Sequence, residues 1–298
     1  MTYLFSSTFE DVLGLPDYIG YVFVFIFGAC TGSFLNVVIY RVPNELSVVR
    51  PSSACPDCKK PISFYDNIPI LSWLVLGAKC RNCKGSIAWR YPAVELLTAS
   101  IFVLTALQLG FNAFLPVALF FVAAVISLIF IDAEHMILPN VITYPLLVFA
   151  LAVRLIFPLV TGSTYFADTV YWPLSLMYGS PSWVISLTGA ILGGLTGGGF
   201  LWLVGELWKR LRGVDAMGLG DVKMMFGVGA LLGWRLTILT IFLSAFAGAL
   251  IGMILILKQK DKNLQMQMPF GIFLGIGSIV ALLFGDRILA WYISNFVG

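Results

Sequence analysis

Apolar stretches of about twenty residues recur along the chain, and no other feature limits its fold so strongly. They cover residues 18–40, about 92–110, 113–131, 141–160, 183–204, 236–257 and 270–296, with a shorter one at 222–234. Each long run matches the ~20 residues that an α-helix needs to cross a bilayer. The runs are apolar on every side, without the alternation of a membrane β-strand. Only 11% of the chain is charged and 59% is hydrophobic, against about 25% charged residues in a soluble domain. The expected fold class is therefore an all-α polytopic membrane protein with about eight transmembrane helices. The 222–234 run is too short for a straight crossing and reads as a half-helix or re-entrant piece. Residues 1–17 carry Glu10, Asp11 and Asp17 with no Lys or Arg, the reverse of a signal-peptide n-region. They are expected to form an external tail.

Lys and Arg set the orientation. The one long polar insertion, residues 41–92, holds Arg41, Arg50, Lys59, Lys60 and further basic residues against Glu45, Asp57 and Asp66. Alternation puts the loops 205–221 (Lys209, Arg210, Arg212) and 258–269 (Lys258, Lys260, Lys262) on the same side. The opposite loop, 161–182, has no Lys or Arg. The positive-inside rule makes the basic side cytosolic. The last three lysines suit an anchor at anionic headgroups.

The insertion contains Cys55-Pro56-Asp57-Cys58 and Cys80-Arg81-Asn82-Cys83. Two CxxC pairs about twenty residues apart match a four-cysteine zinc site, and four thiolates leave no open catalytic position. A cytosolic setting disfavours disulfides. The expected object is a small zinc-binding cytosolic subdomain in the first cytosolic loop, with the apolar string from Asn67 to Leu74 folded against the membrane surface. Cys30, in the first span, reads as a small buried hydrophobe.

Two carboxylates carry the chemistry. Asp132 follows directly on a long apolar run, ahead of the breaking Leu138-Pro139-Asn140. Asp221 closes Gly218-Leu219-Gly220-Asp221 at the edge of the short run. The topology brings both to the cytosolic face. A charge at a membrane edge costs several kcal/mol unless it faces a cavity or partner. Two aspartates in a partly dry site can divide their protonation, one taking a proton from water and the other serving as acid. Gly218 and Gly220 would let the backbone bend and a substrate strand approach. Glu134 and His135, the only histidine, fit a polar turn. Glu95 falls near the start of a helix opened by Pro92, where a carboxylate suits the helix dipole; a substrate or cofactor role is the alternative reading. Gly189, Gly193 and Gly197 recur every four residues, a close-packing pattern in lipid rather than a nucleotide loop.

Taken together, the motifs resemble the bacterial prepilin leader peptidases, membrane aspartyl proteases of the GxGD class often fused to an N-methyltransferase. The residues that carry the resemblance are Gly32-Ser33-Phe34-Leu35-Asn36-Val37, the two CxxC pairs, Asp66-Asn67-Ile68-Pro69, Arg90-Tyr91-Pro92-Ala93-Val94-Glu95, Ile131-Asp132, Leu138-Pro139-Asn140, Gly218 to Lys223 and Pro269-Phe270-Gly271. The resemblance implies Asp132 and Asp221 as the catalytic pair and the four cysteines as the family's tetracysteine motif. It implies type IV prepilins or type II secretion pseudopilins as substrates, S-adenosylmethionine as methyl donor, and the bacterial inner membrane as location. Membrane lipid is the other expected partner, and nucleic acid is not. The implied domains are a tail over 1–17, a methyltransferase-associated region over 18–110, and a peptidase domain over 111–298. A peptidase with a purely structural zinc module, or a scaffold or transporter with two structural acids, are the competing readings.

Overall fold

The computed structural model describes residues 8–161, 172–214, 217–258 and 269–296. Lys260 and Lys262, the side chain of Lys258, and residues 162–171 of the opposite loop lie outside the described residues. Within those described, every regular element is helical, and pairing of extended backbone is confined to the isolated bridges Ala54–Pro61 and Lys79–Ser86. Among the described residues, seven helical stretches are long and apolar enough to span a membrane, Ser182–Arg212 counting as one. The chain forms two compact units, Met1–Ser127 and Leu128–Gly298.

The N-terminal unit is organised by α2 (Asp17–Arg41) and α4 (Arg90–Leu109). Ahead of them lies α1 (Phe9–Leu13), a short helix that the apolar pattern does not announce, with a Thr8–Asp11 capping box. Gly28 and Gly32 let α2 and α4 meet backbone to backbone. A Cβ on Gly28 would sit 2.7 Å from the Ala99 Cα, and one on Gly32 2.7 Å from the Glu95 Cα. Without a hydrophobic drive between helices in lipid, such close van der Waals approach is what holds them. Cys30 is exposed on α2, against the expectation of a buried residue. The glycine stripe, not the cysteine, faces the neighbouring helix. Between α2 and α4 lie the cysteine loops and α3 (Leu71–Val75), and α5 (Leu115–His135) begins in this unit.

The C-terminal unit holds the end of α5 with α6 (Asn140–Thr161), α7 (Ser182–Gly194), α8 (Phe200–Arg212), α9 (Leu219–Leu232), α10 (Trp234–Lys258) and α11 (Phe270–Phe296). Its centre is α9, the short run of the sequence. At 1.5 Å per residue its 14 residues reach only about 21 Å, short of the ~30 Å hydrocarbon core. It packs against α6, α7, α10 and α11. Asp221, Val222, Met224, Met225 and all residues from Gly227 to Leu232 are buried, as expected of a helix apolar on all sides.

A π-helical turn, Leu195–Gly199, joins α7 to α8 and presents glycines to α9. The Gly193 and Gly229 backbones touch, and a Cβ on Gly197 would lie 2.5 Å from the Met225 carbonyl oxygen. The glycine run is thus packing surface. At its far end α9 stops inside the unit. There the Arg154 Nε donates to the Ala230 carbonyl at 3.0 Å, occupying one of the acceptors that a helix C-terminus leaves free.

Candidate active site and cysteine cluster

Three helix ends converge around the two aspartates. α5 closes just past Asp132, whose carbonyl accepts from the Met136 N–H at 2.9 Å, with Met136 left-handed at φ 53°. The chain then turns through Leu138-Pro139 into α6. Asp132 is 5% exposed and Asp221 8%. The carboxyl of Asp132 meets the start of α11. Its Oδ2 accepts from the Ile272 N–H at 3.1 Å, and the Gly271 N–H donates to it as well. These are two of the four N–H groups that a helix N-terminus cannot pair internally, at the positive end of its dipole. Gly271 is required for this contact, because a Cβ there would stand 2.7 Å from Oδ2.

Asp221 sits in the first turn of α9, and its N–H donates to the Gly218 carbonyl at 3.1 Å. Its carboxyl lies within electrostatic reach of Asp132 and takes no hydrogen bond from the described residues. The two glycines beside it act differently from the hinge expected. Gly218 adopts φ −69° and ψ 138°, ordinary extended backbone open to any residue. Gly220 provides space, since a Cβ there would be 2.9 Å from the Leu138 Cβ. Leu138 also closes on Gly271, 3.0 Å from that residue's would-be Cβ, so one side chain wedges between the helix starts that flank the aspartates. Lys223 completes the frame, donating to Asn140 Oδ1 at 2.9 Å and lying 5.4 Å over the Tyr144 ring. Glu134 and His135, expected in a polar turn, lie instead in the last turn of α5, where both are exposed. Hydropathy and motif spacing do not reveal the roles of the Gly271–Ile272 amides, Leu138 and Arg154. Gly at the second position of a helix and an Arg within an apolar run were the available signals.

The four cysteines also come together. Cys55, Cys58, Cys80 and Cys83 place their sulfurs within 4.8 Å of one another. Both loops use one hydrogen-bond scheme. The Cys55 N–H donates to Lys60 and its carbonyl accepts from Lys59, while Cys80 does the same with Gly85 and Lys84. Lys59 and Lys84 are both left-handed, at φ 57° and 61°. Backbone N–H groups of Cys83 and Asn82 draw the Cys80 thiol down to about 7. Cys83 receives the Gly85 N–H, yet burial and the neighbouring thiols push it up to about 11. Thiols crowded this way share protons poorly and favour a dication. Zinc–sulfur bonds of about 2.3 Å in a tetrahedron require sulfurs about 3.8 Å apart, and the Cys55 and Cys83 sulfurs are 3.8 Å apart. A zinc ion fits.

Glu95 departs from its expected place. It lies beyond the first turn of α4, which holds no acid, and caps nothing in its own helix. Its Oε2 instead accepts from the Ile70 N–H at 2.7 Å.

Fold and site together define a multi-pass helical membrane protein with a four-thiol cluster in one unit and a buried aspartate pair in the other. Residues 26–109 match the bacterial peptidase A24 N-terminal domain and residues 119–253 the type IV leader peptidase family. The chain is 35% identical to a prepilin leader peptidase/N-methyltransferase of Aeromonas hydrophila, over 95% of this chain and 97% of that one. It is 33% identical to the one of Pseudomonas aeruginosa over 90% and 92%, and 39% identical to that of Myxococcus xanthus over 82% and 66%. No solved structure matches it. The chain belongs to the type IV leader peptidase family.

Proposed function

We propose that the chain removes the basic leader from type IV prepilins or type II secretion pseudopilins and N-methylates the new N-terminal residue. The reaction takes place at the cytosolic face of the bacterial inner membrane. Residues 18–110 serve methyl transfer and 111–298 cleavage. The buried pair Asp132 and Asp221, at the ends of two apolar helices, carries the cleavage reading. A pilin precursor has a charged leader followed by an apolar helix, so its scissile bond lies at the membrane boundary where such a pair works.

The hydrogen bonds divide the roles. Two backbone N–H groups on Asp132 favour a carboxylate, so Asp132 takes the proton from the attacking water. Asp221, without such donors, is the acid. It protonates the scissile carbonyl oxygen as water adds. The tetrahedral species collapses as Asp132 passes the proton taken from water to the leaving amine nitrogen, the C–N bond breaks, and Asp221 recovers its proton from the hydroxyl that becomes the product carbonyl. General acid–base catalysis of this kind contributes about 10²–10⁴-fold in rate. Cys55, Cys58, Cys80 and Cys83 would hold zinc, which closes the loops without taking part in the reaction. S-adenosylmethionine supplies the methyl group.

Asp132→Asn and Asp221→Asn are expected to stop leader cleavage of a prepilin in detergent. Normal processing by either variant refutes the pair. Mass spectrometry of the mature N-terminus, with S-adenosylmethionine supplied, tests methylation.

A further inference from the structure

Three of the motifs that the cleavage reaction leaves unused meet at one point of the N-terminal unit. Ser33 and Asn36, one turn apart on α2, face Tyr91 and Glu95 on α4, and Ile70 closes the group from the loop. Glu95 is 8% exposed. It takes hydrogen bonds from the Ile70 N–H and the Ser33 side chain and makes no ion pair among the described residues. A carboxylate can accept about four, so half of its capacity is unused. Beside it, Asn36 is 4% exposed. Its Nδ2 donates to the Tyr91 carbonyl at 3.1 Å, while its Oδ1 is buried with no partner.

Such a group is costly in an apolar setting. A buried acceptor without a donor costs about 1–3 kcal/mol, and a buried charge without a cation costs more. The loop is also held against its preference: Ile70, a β-branched residue, is left-handed at φ 63°, a conformation such residues rarely adopt. Its N–H reaches Glu95 in that conformation. Strain of this kind persists where surrounding structure holds it, and it concentrates at ligand sites. Gly32 brings the two helices close enough to form the group, its would-be Cβ lying 2.7 Å from the Glu95 Cα.

The unsatisfied atoms are acceptors, and the one charge is negative. They call for a compact cation rich in N–H donors. We propose that Ser33, Asn36 and Glu95 bind a primary α-ammonium group, which rests on the N-methylation reading above. That reaction offers two sources of one chemistry: the amino-acid end of the methyl donor and the new N-terminus of the cleaved substrate. In both, the ammonium lies on the carbon next to a carbonyl or carboxylate. Lodged between Glu95 and Asn36 Oδ1, it would satisfy both acceptors at once.

The test uses the full-length protein in detergent and two probes. One is S-adenosylhomocysteine, which keeps the α-ammonium but lacks the sulfonium charge. The other is a synthetic peptide with the mature substrate's N-terminus, free or acetylated. Glu95→Gln keeps an oxygen for the Ile70 N–H and removes the charge; Asn36→Leu removes the partnerless acceptor at similar volume. Zinc content and thermal midpoint report whether each variant is folded. If the donor's ammonium is bound, S-adenosylhomocysteine affinity falls about ten-fold or more in Glu95→Gln and falls also in Asn36→Leu. If the substrate's N-terminus is bound, that affinity stays and the free peptide loses affinity, while its acetylated form is unaffected. Wild-type affinity of the folded Glu95→Gln variant for both probes makes Glu95 a structural tie for the loop and overturns the proposal. A wild-type protein that binds neither probe and releases unmethylated product overturns the methylation reading and this site with it.

Discussion

The two units gather their polar groups by different means. In the C-terminal unit, helix ends hold the aspartates: α11 donates its first amides to Asp132, and α9 presents Asp221 in its opening turn. Gly193 and Gly197 admit α9 to near backbone contact, while Gly220 and Gly271 make room for the side chains of Leu138 and Asp132. In the N-terminal unit, loops hold the thiols and Glu95 through left-handed Lys59, Ile70 and Lys84, and an acceptor is left over. The first arrangement is held by protein groups alone. The second leaves a four-thiol cluster and a buried acceptor without a protein partner.

This contrast is tested most severely by removing zinc. Structural zinc contributes on the order of 10–16 kcal/mol in small zinc modules. A strong chelator, or Cys83→Ser, is therefore expected to open residues 50–88 to limited proteolysis. Cleavage of a leader peptide should continue at a comparable rate, because Asp132 and Asp221 are held by protein groups alone. Loss of cleavage in step with zinc would break the distinction.

The next effect is confined to the aspartates. Gly271→Ala puts a Cβ 2.7 Å from the Asp132 Oδ2, so the carboxylate or the helix must move. A misplacement of about 1 Å at a catalytic group can cost about 10²-fold in rate. Leader cleavage is expected to fall by about that factor in kcat with little change in KM, while zinc content stays normal. Unchanged kcat would mean that Asp132 does not depend on the α11 amides.

How much of this was legible beforehand follows the physics of each signal. Spans are written in hydropathy, and the short run at 222–234 announced α9 because length against bilayer thickness needs no tertiary information. The CxxC spacing was as readable, since thiols have few roles at that separation. The position of Glu95 was not: a carboxylate three residues after Pro92 reads as a helix cap, and only the folded loop reveals the Ile70 N–H. Gly218 and Gly220 looked like a hinge. Whether a glycine supplies φ freedom or space depends on its neighbours, here Leu138, which lies some eighty residues away in sequence. Pro269-Phe270-Gly271 was visible as a motif without a mechanism, because its work is done by amides, which carry no sequence signature.

Arg154 sharpens the contrast at the other end of α9. It is 1% exposed and donates to the Ala230 carbonyl at 3.0 Å. Replacing it with Met leaves that helix-end acceptor without this donor, at a cost of about 1–3 kcal/mol. A lower midpoint in detergent melting is expected, with zinc content preserved. An unshifted midpoint would mean that α9 ends safely without its cap.

The smallest effect belongs to the loop face of the N-terminal unit. Arg81 donates to both oxygens of Asp66, with contacts of 3.1, 2.9 and 2.7 Å, and lies 5.5 Å over the Tyr65 ring. Those hydrogen bonds and the guanidinium charge hold the Asp66 carboxyl below its usual range. The folded value is below the unfolded one, so the pair stabilises the fold above the ordinary carboxylate range. That contribution disappears as pH falls through the depressed folded value. Acid also protonates the zinc thiolates, in wild type and variant alike, so the informative quantity is their difference. Asp66→Asn should melt slightly below wild type at neutral pH, and the gap should close as pH drops below about 4. Exposed pairs contribute little, but a bidentate one that joins the 64–67 turn to the second knuckle should be measurable. A gap independent of pH would assign the effect to packing of the turn. A gap that closes would assign it to the ion pair, a tie in this loop that the chain makes without a ligand.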